Sequence, residues 1–145
     1  MLTEEMRSIP VVAALEALEP GLPLDAREHR GQLSVWVAAE SIVAACRSLK
    51  EDQSYKRLSF ITAVDWYPVE PRFEVVYGLH SFERNHWLRV KCRGGGENPE
   101  IDSVTEVWQA ADWYEREVFD LFGIRFRNHP DLRRIMLPES WEGHP

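Results

Sequence analysis

Leu58-Ser59-Phe60-Ile61-Thr62-Ala63-Val64-Asp65-Trp66, then Arg72-Phe73-Glu74-Val75-Val76-Tyr77-Gly78-Leu79-His80-Ser81, then Trp87-Leu88-Arg89-Val90-Lys91-Cys92 are three runs rich in β-branched and aromatic residues, and they read as successive strands. Tyr67-Pro68-Val69-Glu70-Pro71 punctuates the first pair, and proline there is incompatible with a continuing central strand. Upstream, Leu24 to Glu28 and Leu33 to Val37 flank Arg30-Gly31 as a hairpin, with Leu33, Val35 and Val37 alternating. Glu40 to Leu49 follows as a helix that turns Ile42, Val43, Cys46 and Leu49 inward. Nearer the N-terminus, Ser8 is placed to cap a helix with Pro10 in its first turn and Val11, Leu15 and Leu18 on one face, ending before Pro20-Gly21. The pattern predicts an α+β fold: a mixed, mainly antiparallel sheet with helices packed on one face, followed by a C-terminal helix and an extended segment.

The chain has 145 residues, a length suited to one domain, with 44% hydrophobic and 28% charged residues, a composition that folds rather than stays disordered. We assign 1–145 to that single domain, with a sheet core over about 1–93 and a helical and docking portion over 103–145. A net charge of −7 argues against nucleic acid, because phosphate binding needs clustered Lys and Arg. Cys46 and Cys92 are far apart and belong to no Cys/His cluster, so two buried free thiols are expected and no local zinc or iron–sulfur site. Met1-Leu2-Thr3-Glu4-Glu5 carries acids where an export signal needs basic residues, and no apolar run approaches the ~20 residues of a membrane span. Gly94-Gly95-Gly96 lacks the spacing and the Lys-Ser/Thr of a phosphate loop and reads as a flexible connector between sheet and helix. His80 and His86 are positioned to face each other across the turn Ser81 to Asn85, but a third metal ligand is not evident and plain surface histidines are the better reading.

The densest chemistry lies further on. Ser103 to Ala111 has Val104, Val107, Trp108 and Ala111 at helical spacing. Asp112 then offers an N-cap, Glu115 completes a capping box, and Gly123 supplies a stop. Along this helix Tyr114, Val118, Leu121 and Phe122 share one face, whereas Trp113, Arg116, Glu117 and Asp120 share the other. Glu115 flanked by aromatics is a candidate general acid with Glu117 or Asp120 as partner, or simply a cap, with Arg116 and Asp120 paired at i,i+4. The face of Trp113, Arg116, Glu117 and Asp120 also has the mixed aromatic and charged make-up of a protein interface. Beyond Gly123, Arg125, Arg127, Arg133 and Arg134 against Asp131 form a local basic patch. Ile124 and Phe126 alternate as in a strand, and His129-Pro130-Asp131 makes a turn.

Trp113-Tyr114-Glu115-Arg116-Glu117-Val118-Phe119-Asp120-Leu121-Phe122-Gly123-Ile124, with His129-Pro130-Asp131-Leu132-Arg133-Arg134-Ile135-Met136, closely resembles the signature of the 30 kDa subunit family of respiratory complex I, the bacterial proton-pumping NADH:quinone oxidoreductase. His29-Arg30-Gly31, Thr62-Ala63-Val64-Asp65, Phe73-Glu74-Val75-Val76-Tyr77 and Ser103-Val104-Thr105-Glu106-Val107-Trp108 look like family segments in the same order. Many members continue past the position of Pro145 into a basic tail that wraps a neighbour. The resemblance implies a non-catalytic structural subunit that binds no cofactor itself. NADH, FMN, iron–sulfur clusters and quinone would lie in partner subunits, chiefly beside the large quinone-module subunit and neighbouring iron–sulfur subunits. It implies a peripheral place on the cytoplasmic face of the bacterial inner membrane, reached only through the complex. Trp113, Glu115, Arg116, Glu117, Asp120, His129, Pro130, Asp131, Arg133 and Arg134 are the implied interface residues. The same signature fits the equivalent subunit of a membrane-bound nickel–iron hydrogenase or formate hydrogenlyase. A stand-alone adaptor is a third possibility.

Overall fold

A computed structural model describes residues 2–134 and Gly143. In chain order the elements are α1 (Glu4–Arg7), α2 (Pro10–Leu18), β1 (Pro23–His29), β2 (Gln32–Val37), a 3-10 turn (Ala39–Ser41), α3 (Ile42–Glu51), β3 (Arg57–Asp65), β4 (Phe73–Ser81), β5 (His86–Gly94), β6 (Glu100–Asp102), α4 (Ala111–Phe122) and β7 (Arg125–Arg127). Five strands form one sheet in the order β1-β2-β5-β4-β3. Neighbours are antiparallel except β2 and β5, which run parallel. The α+β architecture read from the sequence is therefore the observed one.

Alternation explains how each strand is used. On the inward side Val35, Val90, Val75 and Tyr77 are all 0% exposed, and they merge into one core with Val12 and Leu15 of α2, Ile42, Cys46 and Leu49 of α3, and Val118 of α4. Burying a side chain of this size stabilises the fold by roughly 1.5–3 kcal/mol. Arg30 and Gly31 take φ of 52° and 78°, the pair of left-handed residues that a two-residue turn between right-twisted strands requires. Both cysteines are buried and free. Burial raises the Cys46 thiol well above its ordinary range and pushes Cys92 up to about 12. Asp65 closes the base of the loop between β3 and β4 through Nε and Nη2 of Arg72 at 2.8 and 2.7 Å, and these bonds lower its carboxyl to about 2.

Gly78 sits opposite Phe60 across the β3–β4 pair, and a Cβ there would lie 2.1 Å from Phe60 Cε2. The Phe60 ring lies across the bare backbone and covers it. Gly78→Ala is therefore expected to cost about 1–3 kcal/mol in urea unfolding, the range for overpacking. Phe60→Ala should remove most of that penalty in a double-mutant cycle.

Four expectations need correction. Ser8 does not cap α2. It ends α1, its hydroxyl donating to the Glu5 carbonyl, while α2 starts at Pro10 with no side-chain cap. The triglycine does not lead into a helix. Gly94 is the last residue of β5, Gly95 packs against Glu70 and Pro71, and the chain continues into β6. Ser103 to Ala110 is a turn and not a helix. Val104, Val107, Trp108 and Ala111 are buried as their spacing predicted, but Ser103 Oγ takes the Thr105 N–H and Lys50 Nζ takes the Val107 carbonyl at 2.6 Å. Side chains that satisfy the backbone locally remove the advantage of continuing a helix. Finally, His80 and His86 do not converge. Adjacent registers put them beside Trp87 and Ser81 respectively. His80 meets Phe82 edge-on at 4.7 Å and Trp87 at a tilt at 4.4 Å, whereas His86 Nδ1 lies 2.7 Å from the Tyr55 hydroxyl.

Candidate partner-docking surface

The helix α4 lies on β3, at the edge of the sheet, with Phe122 edge-on to Phe73 at 6.2 Å. Gly123, at φ 78°, terminates it and returns its N–H to the Phe119 carbonyl, as the sequence predicted. Past that stop, β7 pairs in parallel with β6, burying Ile124 and Phe126.

Glu115 is not a cap residue. Ala110 precedes the helix without any side-chain bond, so there is no capping box at Asp112. Instead Glu115 is 0% exposed and ties α4 to the preceding turn: Ser103 Oγ donates to Oε1 at 2.6 Å and the Val104 N–H to Oε2 at 2.8 Å. Loss of water around the carboxyl raises it to about 7, an effect only partly offset by the two hydrogen bonds. With both oxygens occupied by structural donors and no exposure, the carboxyl has no route to a substrate.

Nor do Arg116 and Asp120 pair with each other. Asp112, Arg116 and Asp120 are spaced by four, which makes them one ridge along α4, and the segment after β7 runs along that ridge. His129 Nε2 lies 3.1 Å from the Asp112 carbonyl and 3.2 Å from its Oδ1. Nδ1 of the same ring accepts the Asp131 N–H at 2.9 Å, so Nε2 carries the proton and donates. One turn further, Arg116 Nε donates to the Arg133 carbonyl at 3.3 Å. At the end of the ridge Arg134 Nε reaches Asp120 Oδ1 at 3.5 Å, and Asp120 is wholly buried. Asp120 therefore does not belong to the exposed face where helical periodicity placed it.

The basic patch is largely neutralised as well. Arg127 pairs with Asp102 at 2.9 Å and Arg133 with Asp131 at 3.1 Å, while the Arg125 guanidinium lies over Phe119 at 5.3 Å. Outward there remain Trp113, 55% exposed with Arg116 over its ring at 5.7 Å, together with Glu117, Pro130, Asp131 and Arg133. Sequence reasoning missed the bonds of Ser103 and Val104 to Glu115 and gave Asp112 the role of an N-cap rather than a partner of His129, because these contacts come from residues up to 17 positions away. The part of the docking segment beyond Arg134, Gly143 apart, lies outside the described residues. Among the described residues no group of three or more His, Cys, Asp or Glu is placed to hold a metal ion, and no helix is long and apolar enough to cross a membrane.

A layered α+β domain that carries a tail-clamped helix on one sheet edge is the class these features define. A sequence model of the family described as respiratory-chain NADH dehydrogenase, 30 Kd subunit, matches residues 35–145. An NADH-quinone oxidoreductase subunit of Geobacter sulfurreducens is 49% identical over 123 residues, covering 84% of this chain and 76% of that one. The protein of the same name from Roseiflexus castenholzii is 47% identical over 137 residues, covering 93% and 79%. Among solved structures, a trypsin-resistant fragment of Nqo5 superposes with a TM-score of 0.74 at 31% identity, covering 88% of this chain and 100% of the fragment. The membrane-bound sulfane sulfur reductase, an archaeal respiratory membrane complex, contains a chain with a TM-score of 0.75 at 27% identity, covering 88% and 74%. The chain belongs to the respiratory-chain NADH dehydrogenase 30 kDa subunit family.

Proposed function

We propose that this chain is a non-catalytic structural subunit in the peripheral, quinone-module arm of a proton-translocating NADH:quinone oxidoreductase. Its docking surface is the outward side of α4 and its clamp, with Trp113, Arg116, Glu117, Pro130, Asp131 and Arg133 facing the neighbour. Glu115, Asp120, His129 and Arg134 shape that surface from within. The observation that carries this reading is the division of the signature: Glu115 and Asp120 are buried in structural contacts, whereas Trp113, Glu117, Asp131 and Arg133 point outward. The partners are the large quinone-module subunit and neighbouring iron–sulfur subunits. Electrons pass from NADH through FMN and clusters to quinone in those partners, and this chain fixes their spacing without binding a cofactor. The complex holds it at the cytoplasmic face of the bacterial inner membrane, and residues 1–145 act as one docking unit. Support comes from relatives at 47–49% identity that are named as subunits of NADH-quinone oxidoreductase.

A second reading, the equivalent subunit of a hydrogenase or formate hydrogenlyase complex, draws on the likeness to the sulfane sulfur reductase, a respiratory membrane complex not named for NADH. Purification of the tagged chain from gently solubilised membranes of its host separates the two. We expect flavin- and cluster-bearing subunits to accompany it with NADH:quinone reductase activity. Recovery with a nickel–iron subunit would move it to the second reading, and recovery alone from the soluble fraction would overturn both in favour of a stand-alone adaptor.

A further inference from the structure

Among the described residues, the buried residues of the helices join the inward core, and none of the helices forms a second layer on the opposite face of the five-stranded sheet. Register places Arg57, Arg89, Lys91, Arg93 and Arg27 on this outer face, against two carboxylates, Asp25 and Glu74. Five cations to two acids on a chain of net charge −7 is a local reversal of sign. Aromatic rings accompany the cations: Lys91 Nζ lies 4.8 Å from the centre of the Trp36 ring, and the Arg93 guanidinium 5.8 Å from that of Trp66. Trp36 Nε1 in turn donates to Glu74 at 2.9 Å, fixing the ring.

Such a face normally exposes its interior strands. Here the outward residues of β4 are covered by neighbours on the same face: Glu74, Val76 and His80 are 5%, 6% and 8% exposed. Flanking side chains do this by lying flat, Phe60 across Gly78, Trp87 on His80, and the long cationic stems alongside. The product is a pre-ordered basic platform from which Trp87 and Trp66 still present 49% and 46% of their surface to water. Ordered aromatic and arginine groups are what the centre of a protein contact is made from, because little rotamer entropy is left to lose. Strands of 7, 6, 9, 9 and 9 residues, at about 3.3 Å per residue and about 4.8 Å spacing, give a footprint of the same order as the ~800 Å² that each partner contributes to a standard interface.

We propose that this outer sheet face is a second docking surface, distinct from the α4 clamp, and that its occupant is an acidic surface of another protein subunit of the complex. The inference rests on the reading of this chain as a complex subunit. An acidic protein is favoured over lipid headgroups or nucleic acid because Asp25 and Glu74 lie among the cations and the remaining surface is acidic, which repels an extended array of phosphates.

The test places a photo-crosslinking phenylalanine analogue at position 87 of the tagged subunit in its host and irradiates the purified complex. A cross-link to an acidic segment of a different subunit is expected. Arg89→Glu should then lower retention of this chain on the complex several-fold, with recovery when the cross-linked acid on the partner is reversed in sign. A subunit retained on its complex with no protein cross-link from position 87 would overturn the proposal while leaving the function reading intact. So would cross-linking to lipid, to nucleic acid or to a second copy of this chain. If the chain travels with no complex, both readings fall.

Discussion

Glu115→Ala is expected to lower the unfolding free energy by about 3–5 kcal/mol. The substitution leaves the Val104 N–H without its buried acceptor, at about 1–3 kcal/mol, forces the Ser103 hydroxyl to turn to Thr105 Oγ1, and opens a cavity in place of a fully buried side chain. A loss of that size consumes much of the ~5–15 kcal/mol that holds a domain together. Glu115→Gln is the informative companion, since an amide mimics the protonated acid. Its oxygen accepts from Val104, its NH2 donates to Ser103 Oγ, and the Ser103 hydroxyl remains free to donate to Thr105 Oγ1, 2.8 Å away.

The two variants also define a pH dependence. The carboxyl is raised from 4.5 to about 7 in the folded chain, so the native state holds this proton where the unfolded state has released it. Its contribution to stability is fully present below pH 4.5, declines as pH rises from there, and levels off above about 7, a total of roughly 3 kcal/mol. Urea unfolding of the wild type and of Glu115→Gln between pH 4.5 and 8 isolates this effect, because other titrating groups cancel in the difference. The wild type should lose stability relative to the glutamine variant across that window. Parallel curves would mean that Glu115 keeps an ordinary carboxylate pKa, and that its burial is relieved in solution.

Why the sequence revealed the sheet and hid the role of Glu115 follows from the range of the forces involved. Alternation in Leu33, Val35 and Val37, the apolar run of β4 and the Arg30-Gly31 turn are determined by neighbours a few residues apart, and they read directly. Burial on the inner face of α4 was equally legible at Val118. Helical periodicity, however, describes a helix against one surface. α4 has two, the sheet edge on one side and the returning segment 129–134 on the other. A polar residue on the supposedly solvated side, such as Asp120, is therefore enclosed by chain that the period cannot anticipate.

The turn 103–110 failed for a related reason. Its apolar spacing was correct and its burial was correct, yet the backbone bonds went to Ser103, Lys50 and Glu115. Spacing fixes which side chains are inside, but competing side-chain partners decide whether the backbone between them is helical. The basic patch was misjudged because formal charges were counted along the chain while their partners, Asp102 and Asp120, stand on other elements.

That difference separates two arginines that look equivalent in sequence. Arg134→Glu is expected to destabilise the isolated domain by about 3 kcal/mol or more, since it sets a second carboxylate against the buried Asp120 in place of a guanidinium whose side chain is only 12% exposed. Arg133→Glu acts at a side chain 60% exposed, paired with the equally exposed Asp131, where an ion pair contributes at most about 1 kcal/mol. Arg116 is held by the Arg133 backbone carbonyl, which the substitution leaves in place. Thermal and urea unfolding should therefore show a large loss for Arg134→Glu and almost none for Arg133→Glu. Incorporation into the complex should fall for both, for different reasons: one variant loses the clamp that shapes the surface, and the other keeps the clamp and reverses a charge upon it. Release by Arg133→Glu with an unchanged melting temperature would establish that the outward side of the clamp is the contact. Unimpaired incorporation of that variant would remove Arg133 from the interface and leave docking to Trp113 and Glu117.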